Sequence, residues 1–306
     1  MKAIRVHRNG GPEALVVEEA PTPHPGPGEV LVRVQAAGVT PDELGWSTTR
    51  HTRSGAERPL PIPGHDLAGI VADVGSEVRD VAVGMPVFAL TDFSRDGAGA
   101  EYAIARPSEL APKPRTLDYV QAAAVPLAAL TAWQGLLDHA ELSAEQSVLI
   151  HGAAGGVGVF AVQLARWIGA YVIATASPRN LDLVLELGAD EIVDHTRVRF
   201  EDVVQDVDVV FDTVGRDTLS RSWRVLKKGG TLVSIVERPS PETATALGVR
   251  AVFFIVEPSR ERLARVGELI DAGKLRPVVG KVFPFAEARR AYEGAPSRGR
   301  TVLKMD

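Results

Sequence analysis

Residues 147–169, SVLIHGAAGGVGVFAVQLARWIG, decide the fold of this 306-residue chain. Residues 147–150 have the apolar pattern of a short buried strand, the glycines of residues 152–158 predict a tight turn, and residues 159–167 have the apolar spacing of a helix. Glycine lets the backbone approach a pyrophosphate, and the amides and positive dipole end of a helix attract its charge. The stretch therefore predicts a dinucleotide-binding turn.

Two details of this region bear on the choice of cofactor. The glycines follow the spacing G-x-x-G-G-x-G, which differs from the G-x-G-x-x-G fingerprint. About twenty residues on, where the fingerprint places an acid for the ribose 2′-hydroxyl, the chain has Ser177 and Arg179 in YVIATASPRN. A hydroxyl and a planar guanidinium suit a phosphate, which favours NADPH over NADH. A structural glycine turn and an exposed arginine that only starts the next helix remain the alternatives.

Composition excludes several classes of protein. The net charge of -5 comes with dispersed basic residues, so no nucleic-acid partner is expected. The chain has no cysteine, which excludes disulfides, thiolate metal sites and a cysteine nucleophile. The start, MKAIRVHRNGG, lacks the apolar run of a signal peptide, and no stretch approaches the ~20 apolar residues of a membrane span. We expect a soluble, cytoplasmic protein without a membrane partner.

The pattern along the chain predicts an α/β protein with two domains. Residues 1–122 contain short alternating runs broken by Gly and Pro, which indicate an antiparallel barrel. Residues 123–272 begin with a helical pattern that Pro126 should kink or restart, and then alternate strands and helices as a doubly wound parallel sheet does. Residues 273–306 no longer follow this alternation, and we expect them to return to the first domain.

Four motifs carry a family resemblance. After the barrel pattern come VPLAALTAWQGL, VLIHGAAGGVG, FDTVG and the closing GRTVLKMD. This order resembles the zinc-independent quinone oxidoreductases of the medium-chain dehydrogenase/reductase superfamily over essentially the whole chain. The resemblance implies a GroES-like β-barrel catalytic domain and a Rossmann cofactor domain.

The zinc-containing alcohol dehydrogenases of the same superfamily give a comparison for the metal. They hold zinc with two cysteines and a histidine, whereas the matching positions here include Thr40 and His65. One remaining ligand does not retain zinc. We therefore expect no metal, and a structural role for His65 and Asp66.

The resemblance also implies the cofactor residues. Those of the pyrophosphate loop are Gly155, Gly156, Val157 and Gly158. Ser177 and Arg179 occupy positions that bind the 2′-phosphate, and His195 replaces a Tyr that contacts this phosphate or the adenine. The strand ends that hold the nicotinamide ribose and carboxamide correspond to Thr213, Val214, Gly215, Val236, Phe254, Ile255 and Val256. For residues 254–256, a plain core strand is the alternative.

Contacts to the substrate and nicotinamide are predicted at Thr40, Asp42, Trp46 and Thr131. Family members commonly have Asn at the position of Thr40 and often a Tyr near Trp46, so the polar contacts are altered here. Trp46 alternatively packs in the barrel. Residues 50–53, which include Arg50, His51 and Arg53, are interpreted as a solvated loop.

Hydride transfer needs orientation and a dry cleft rather than strong protein acids, because the nicotinamide supplies the reagent. The hypothesis is NADPH-dependent, zinc-independent reduction of quinones or α,β-unsaturated carbonyls in the interdomain cleft. One alternative is an alkenal or enoyl-thioester reductase, with Arg50, Arg53 and Arg58 available for thioester phosphates. The other is a non-catalytic NADPH-binding redox sensor.

An apolar run also suggests how the protein associates. Residues 249–256 contain AVFFIV, which would be an aggregation hazard as an exposed sheet edge. Family members pair this region across a two-fold axis. We therefore expect a homodimer.

Overall fold

The computed structural model describes residues 1–52, 54–294 and 298–305. Its strands are β1 (Lys2–Val6), β2 (Leu15–Glu19), β3 (Val30–Val39), β4 (Asp66–Val74), β5 (Pro86–Leu90), β6 (Tyr102–Ala105), β7 (Leu110–Pro112), β8 (Ser147–His151), β9 (Tyr171–Ala176), β10 (Glu191–Asp194), β11 (Val207–Asp212), β12 (Leu226–Ser234), β13 (Arg250–Phe253), β14 (Val279–Pro284) and β15 (Arg300–Lys304).

The α-helices in the same ranges are α1 (Ser47–Arg50), α2 (Tyr119–Ala123), α3 (Pro126–Trp133), α4 (Gly156–Ile168), α5 (Leu181–Glu186), α6 (Arg216–Ser222), α7 (Pro241–Leu247), α8 (Arg260–Asp271) and α9 (Ala288–Tyr292). Of the two effects expected of Pro126, a kink or a restart, the restart is observed, since α2 ends at Ala123 and α3 begins at Pro126. A π-helix, Gln134–His139, continues α3. Short 3-10 helices occupy Pro12–Ala14, Pro41–Gly45, Pro178–Asn180, Phe200–Asp202, Trp223–Val225 and Phe285–Glu287. Each helix of the described residues is too short or too polar to cross a membrane.

The chain divides into two units. The first comprises Met1–Leu127, Glu257–Gly273 and Pro277–Asp306, and the second comprises Ala128–Val256 and Lys274–Arg276. The expected boundary after residue 122 is therefore five residues too early.

The expected end of the cofactor domain at residue 272 is also wrong, because α8 belongs to the first unit. The backbone N–H of Arg260, at the start of α8, donates to the Ser108 carbonyl at 2.7 Å. At its end, the Asp271 carboxylate accepts from the backbone N–H of Thr116 at 3.0 Å. Both contacts join residues that are more than 150 positions apart, so the local pattern of the helix could not reveal them.

The first unit is built on a mainly antiparallel sheet, in which only β14 and β15, among the described strands, pair in parallel. The strand order is β14-β15-β3-β4-β5-β7, β6 also pairs with β3, and β1 and β2 form a separate antiparallel pair. The pairing of β15 with β3 brings the last strand of the chain into this unit. Val32 and Val34 of β3 are buried with Leu67 of β4 and Leu303 of β15 in one apolar core. This is the expected GroES-like fold.

The second unit is a parallel sheet with the order β10-β9-β8-β11-β12-β13. This order is that of the Rossmann fold, with the topological switch point between β8 and β11. The expected strand over residues 249–256 is too long, because β13 ends at Phe253. Its neighbour β12 ends at Ser234, the partner of Phe253, so β12 provides no pairing partner for the residues after Phe253.

Candidate functional site

The carboxyl ends of the parallel strands bring the expected cofactor residues to one edge of the second unit's sheet. We call this edge the carboxyl edge. Residues 155–158 follow β8, residues 177–179 follow β9, His195 follows β10, residues 213–215 follow β11, Val236 follows β12 and residues 254–256 follow β13. Ligands of open α/β sheets bind at this edge, next to the switch point.

The turn after β8 has room for glycine alone at two positions. Gly152 has φ +70°, and a Cβ there would lie 3.2 Å from Val214 Cγ2 and closer still to the Thr213 hydroxyl. A Cβ on Gly158 would lie 2.7 Å from the Ala153 Cα. At these two positions the turn has no side chain, so its backbone can approach a ligand closely. We call residues 152–158 the glycine cradle.

Helix α4 begins inside this cradle. The first amides of a helix have no intrahelical partner, and Gly155, at the N-cap, has no side chain that could cap them. The amides of Gly156, Val157 and Gly158 and the positive end of a 13-residue helix are thus available to an anion. The turn fits the pyrophosphate of a dinucleotide.

A buried histidine that sequence reasoning did not single out supports the turn. His151 ends β8, with Nδ1 3.1 Å from the Thr175 hydroxyl and Nε2 3.1 Å from the Ser222 hydroxyl. Burial lowers the pKa of His151 to about 3, so the ring is neutral. It joins β8 to β9 and α6, and an isolated His in an apolar strand was its only signal in the sequence.

A buried carboxylate, also not singled out from the sequence, fixes the loop after β11. Asp212 accepts from the backbone N–H groups of Val214 and Gly215, each at 3.0 Å, and from the Ser234 hydroxyl at 3.0 Å. The Thr213 hydroxyl donates to the carbonyl of His151 at 2.8 Å. This loop and the turn after β8 are therefore held together.

At the other end of the edge, Ser177 and His195 are neighbours. Asp194 of β10 pairs with Ala176 of the parallel strand β9. His195 follows Asp194, and Ser177 follows Ala176, so these two residues lie side by side. Asn180 Nδ2 donates to the Ser177 hydroxyl at 3.3 Å, and the side chains of Arg179 and His195 are exposed. A groove of about 470 Å³, lined by residues 195–200 with Asp217 and Arg221, adjoins His195.

The residues after β13 do not form a core strand, which was the alternative for them. The Phe254 ring lies 4.4 Å from the His139 ring, and Ile255 is 70% exposed. Val256 is buried. All three lie beyond the strand, at the carboxyl edge.

The predicted substrate residues are divided between the units. Thr131 is a buried residue of α3 in the second unit. Thr40 directly follows β3 in the first unit, Asp42 is exposed on the 3-10 helix Pro41–Gly45, and Trp46 follows it. The half-buried Trp46 ring meets the Phe93 ring edge to face at 5.4 Å.

Around the loop expected to be solvated, two arginines have partners within the first unit. Arg50 donates to the carbonyl of Arg8. Arg58 donates to the carbonyl of Thr48 at 2.9 Å and pairs with Asp96 at 2.8 Å. His51 is exposed, and Arg53 lies outside the described residues.

Two further buried groups of the first unit were not predicted, Glu43 and Tyr292. One Glu43 oxygen accepts from the Tyr292 hydroxyl at 2.7 Å, and the other accepts from the Gly64 N–H at 2.9 Å. Burial raises the pKa of Glu43 to about 7 although these bonds oppose the shift. His65, whose Nε2 lies 3.8 Å from Glu43, has its pKa lowered to about 3 by burial and is neutral.

A buried ion pair lies beside this cluster. Asp66 accepts from the backbone N–H of Leu127 at 2.5 Å and is ion-paired with Arg300. Arg300 Nη2 also donates to the Thr40 hydroxyl at 3.2 Å. Burial raises the pKa of Asp66, whereas the charge of Arg300 opposes this shift.

This donor set does not fit a zinc ion. The carboxylates of Glu43 and Asp66 already accept hydrogen bonds from Tyr292, Gly64, Leu127 and Arg300, and Arg300 adds a positive charge. Within the described ranges, no group of three or more His, Cys, Asp and Glu side chains is arranged to hold a metal.

The pKa of Glu43 predicts a pH-dependent stability. In the folded chain the pKa of Glu43 is about 7, above its ordinary value of 4.5, so the folded chain holds this proton more tightly than the unfolded chain does. Its contribution to stability is therefore present below about pH 4.5 and is lost as the pH rises through 7. Glu43→Gln carries a permanently neutral group, so its stability relative to the unsubstituted protein should increase by roughly 2 to 4 kcal/mol from pH 5 to pH 8.

Urea unfolding at both pH values measures this difference. Glu57→Gln, the same change on an exposed residue of the first unit, is the control. Parallel pH dependence of the Glu43→Gln variant and the unsubstituted protein would contradict the prediction.

Comparisons with known proteins agree with this description. The family model of the alcohol dehydrogenase GroES-like domain matches residues 26–115, and that of the zinc-binding dehydrogenases matches residues 187–303. The quinone oxidoreductase of Sus scrofa is 33% identical and covers 98% of this chain and 96% of its own. The chloroplastic NADPH-dependent alkenal/one oxidoreductase of Arabidopsis thaliana is 36% identical and covers 95% of this chain and 75% of its own.

A solved structure extends the similarity to the fold. The quinone oxidoreductase from Coxiella burnetii is 32% identical and covers 100% of this chain and 99% of its own, with a TM-score of 0.91. The resemblance seen in the sequence motifs is confirmed. The chain belongs to the quinone oxidoreductase family of the medium-chain dehydrogenase/reductase superfamily and is an oxidoreductase.

Proposed function

We propose that this protein reduces quinones or α,β-unsaturated carbonyl compounds with NADPH and without a metal ion. The observation that carries the proposal is the glycine cradle at the start of α4, followed along the same edge by Ser177 and Arg179. The names of the pig and plant relatives, a quinone oxidoreductase and an alkenal/one oxidoreductase, support this choice of acceptors.

In this proposal the carboxyl edge holds the cofactor along its length. Residues 155–158 form the pyrophosphate loop, in which the amides of Gly156, Val157 and Gly158 bind the pyrophosphate, since the Gly155 N–H already donates to the Gly152 carbonyl at 2.9 Å. Ser177 and Arg179 bind the 2′-phosphate, and His195, next to Ser177 across the strand pair, contacts the same phosphate or the adenine. Residues 213–215, Val236 and residues 254–256 hold the nicotinamide ribose and carboxamide. When bound, the cofactor supplies the hydride.

The side chains assigned to contacts with the acceptor and the nicotinamide are Thr40, Asp42, Trp46 and Thr131. Hydride addition to an enone or quinone builds negative charge on the carbonyl oxygen, which a positioned hydroxyl or amide donor can stabilise. Water can then supply the proton. A strong protein acid is not required, and the neutral His65 does not provide one.

Zinc independence is proposed because of the donor set. Catalytic zinc sites use three protein ligands and keep one open position. Here the buried carboxylates beside His65 are already bonded to Tyr292 and Arg300. The similarity to the zinc-binding dehydrogenase model therefore concerns the shared fold and not a metal site.

Reversal of one charge tests the choice of cofactor. Arg179→Glu should weaken NADPH binding by about 10- to 100-fold, because a charge-assisted bond to the 2′-phosphate is replaced by repulsion. NADH has no such phosphate and should bind as before. Arg224→Glu is the matched control, since this exposed arginine lies in the 3-10 helix Trp223–Val225 that leads into the amino end of β12, at the opposite edge of the same sheet. Titration of each cofactor by tryptophan fluorescence measures both effects, and equal loss of NADPH and NADH affinity would contradict the assignment.

Turnover in the presence of EDTA tests the reaction. Loss of NADPH absorbance should be observed with phenanthrenequinone and with a small enone, should persist in EDTA, and should be slower with NADH. A loss of activity in EDTA that is reversed by added zinc would overturn zinc independence. Cofactor binding without turnover of any acceptor would overturn the reaction.

We also propose a homodimer formed through β13. Among the described strands, β13 pairs only with β12, and Ile255 beyond it is 70% exposed. An unprotected apolar sheet edge is rarely left open, and a two-fold axis would pair it with its own copy.

Sedimentation velocity at micromolar concentration should therefore give the mass of a dimer. Ile255→Lys should shift the protein toward monomer, whereas Val203→Lys, a change at another exposed valine of the same unit, should not. A monomeric unsubstituted protein would remove this proposal.

A further inference from the structure

We propose that Arg300 orients the Thr40 hydroxyl so that its proton is directed at the acceptor's carbonyl oxygen. Arg300 is then a positioning residue, and Thr40 is the donor that touches the substrate. The inference rests on the proposed function and deepens it, because it names which group stabilises the developing charge and what aligns that group.

Strand register places the two residues opposite each other. β15 runs antiparallel to β3, with Thr301 paired to Val39 and Val302 to Gly38. The preceding residue of β15, Arg300, therefore lies across from Thr40, the residue after β3. The separation of Arg300 Nη2 and Thr40 Oγ1, 3.2 Å, follows from this pairing.

Gly38 of β3 has no side chain, which leaves room for the Asp66 carboxylate to hold the Arg300 guanidinium in place. Asp66 pairs with Gly38 on the other side of β3. A Cβ on Gly38 would lie 2.7 Å from the Asp66 Cβ and 2.8 Å from its Oδ2, so any other residue would displace the carboxylate. Asp66 Oδ2 accepts from Arg300, and Oδ1 accepts from the Leu127 N–H at 2.5 Å. Both charged side chains are buried, and the guanidinium has little freedom to move.

This arrangement determines the direction of the Thr40 proton. A guanidinium has only donors, so the Thr40 oxygen must be the acceptor in this pair and its own O–H must point elsewhere. Thr40 is the N-cap of the 3-10 helix Pro41–Gly45, yet its side chain makes no capping hydrogen bond. The half-buried hydroxyl thus keeps its proton for another partner, and a bond accepted from a cation makes it a stronger donor.

The reaction requires such a donor at one step. A hydride from bound NADPH forms a C–H bond at the electrophilic carbon, and the π electrons move to the carbonyl oxygen. The oxygen becomes an anion, which is an enolate in the case of an enone, and accepts the Thr40 hydrogen bond until water delivers a proton. In a quinone, the carbon that received the hydride then loses a proton to water and the second carbonyl oxygen gains one, which gives the hydroquinone. The acceptor gains two electrons and two hydrogens in total, and NADPH is oxidised to NADP⁺.

Steady-state kinetics on five variants test the inference. Thr40→Val keeps the shape of the side chain and removes the hydroxyl, Thr40→Ser keeps the hydroxyl, and Arg300→Lys can reach Asp66 but cannot also reach Thr40 with a second fixed donor. The double variant combines Thr40→Val with Arg300→Lys. Thr301→Val is the control, because this buried neighbour's hydroxyl has no partner among the described residues.

We expect Thr40→Val to lower kcat by about 100-fold, as removal of one oxyanion donor does, with little change in KM. Thr40→Ser should stay within a few-fold of the unsubstituted enzyme, and Thr301→Val should match it. Arg300→Lys should lower kcat, yet the double variant should be no slower than Thr40→Val alone, since Arg300 acts through Thr40. If Arg300→Lys does not fold, the neutral pair Asp66→Asn with Arg300→Gln replaces it, because no charge is then left unpaired.

Two kinds of failure are distinguishable. The inference would be overturned if the losses in kcat caused by Arg300→Lys and by Thr40→Val multiplied in the double variant, or if Thr40→Ser were as slow as Thr40→Val. Either result would leave the proposed function intact. An unsubstituted protein that binds NADPH but reduces no acceptor would overturn the proposed function, and the inference with it.

Discussion

The buried ion pair between Asp66 and Arg300 is the constraint on which the first unit's candidate site depends. Moving two charges out of water is costly, and the loss of one partner from such a pair typically costs about 3 to 5 kcal/mol. The pair is formed only when β4 and β15 lie on either side of β3 and Gly38 leaves the space between them open. Folding of the last strand is therefore coupled to the geometry around Thr40.

The second unit also contains a buried carboxylate, and its hydrogen-bond partners are of a different kind. Asp212 is also fully buried, but backbone amides and the Ser234 hydroxyl, rather than a cation, satisfy it. Its bonds shape the loop after β11, and the Thr213 hydroxyl connects that loop to the end of β8. In each unit, buried polar groups are hydrogen-bonded to one another and leave particular donors available to a ligand. These donors are the first amides of α4 in the second unit and the Thr40 hydroxyl in the first.

The sequence predicted the features that depend on local pattern. Strand and helix periodicity, the glycine spacing of residues 152–158 and the restart at Pro126 all reflect neighbours in the chain. It did not predict that α8 packs with the first unit, nor the bonds of Glu43 with Tyr292 and of Arg300 with Thr40. These partners are 150 to 260 positions apart, and only strand register or tertiary packing brings them together.

The charge state of the buried cluster limits the chemistry that the first unit can offer. Burial keeps the His65 imidazole neutral, and Glu43, with a pKa raised to about 7, already accepts from Tyr292 and Gly64. Neither group is placed to act as a strong acid toward a ligand. The Thr40 hydroxyl differs, because a cation satisfies its oxygen and leaves its proton unused by the helix that it precedes. A weak, oriented donor of this kind suits a reaction in which the cofactor brings the hydride and water can bring the proton.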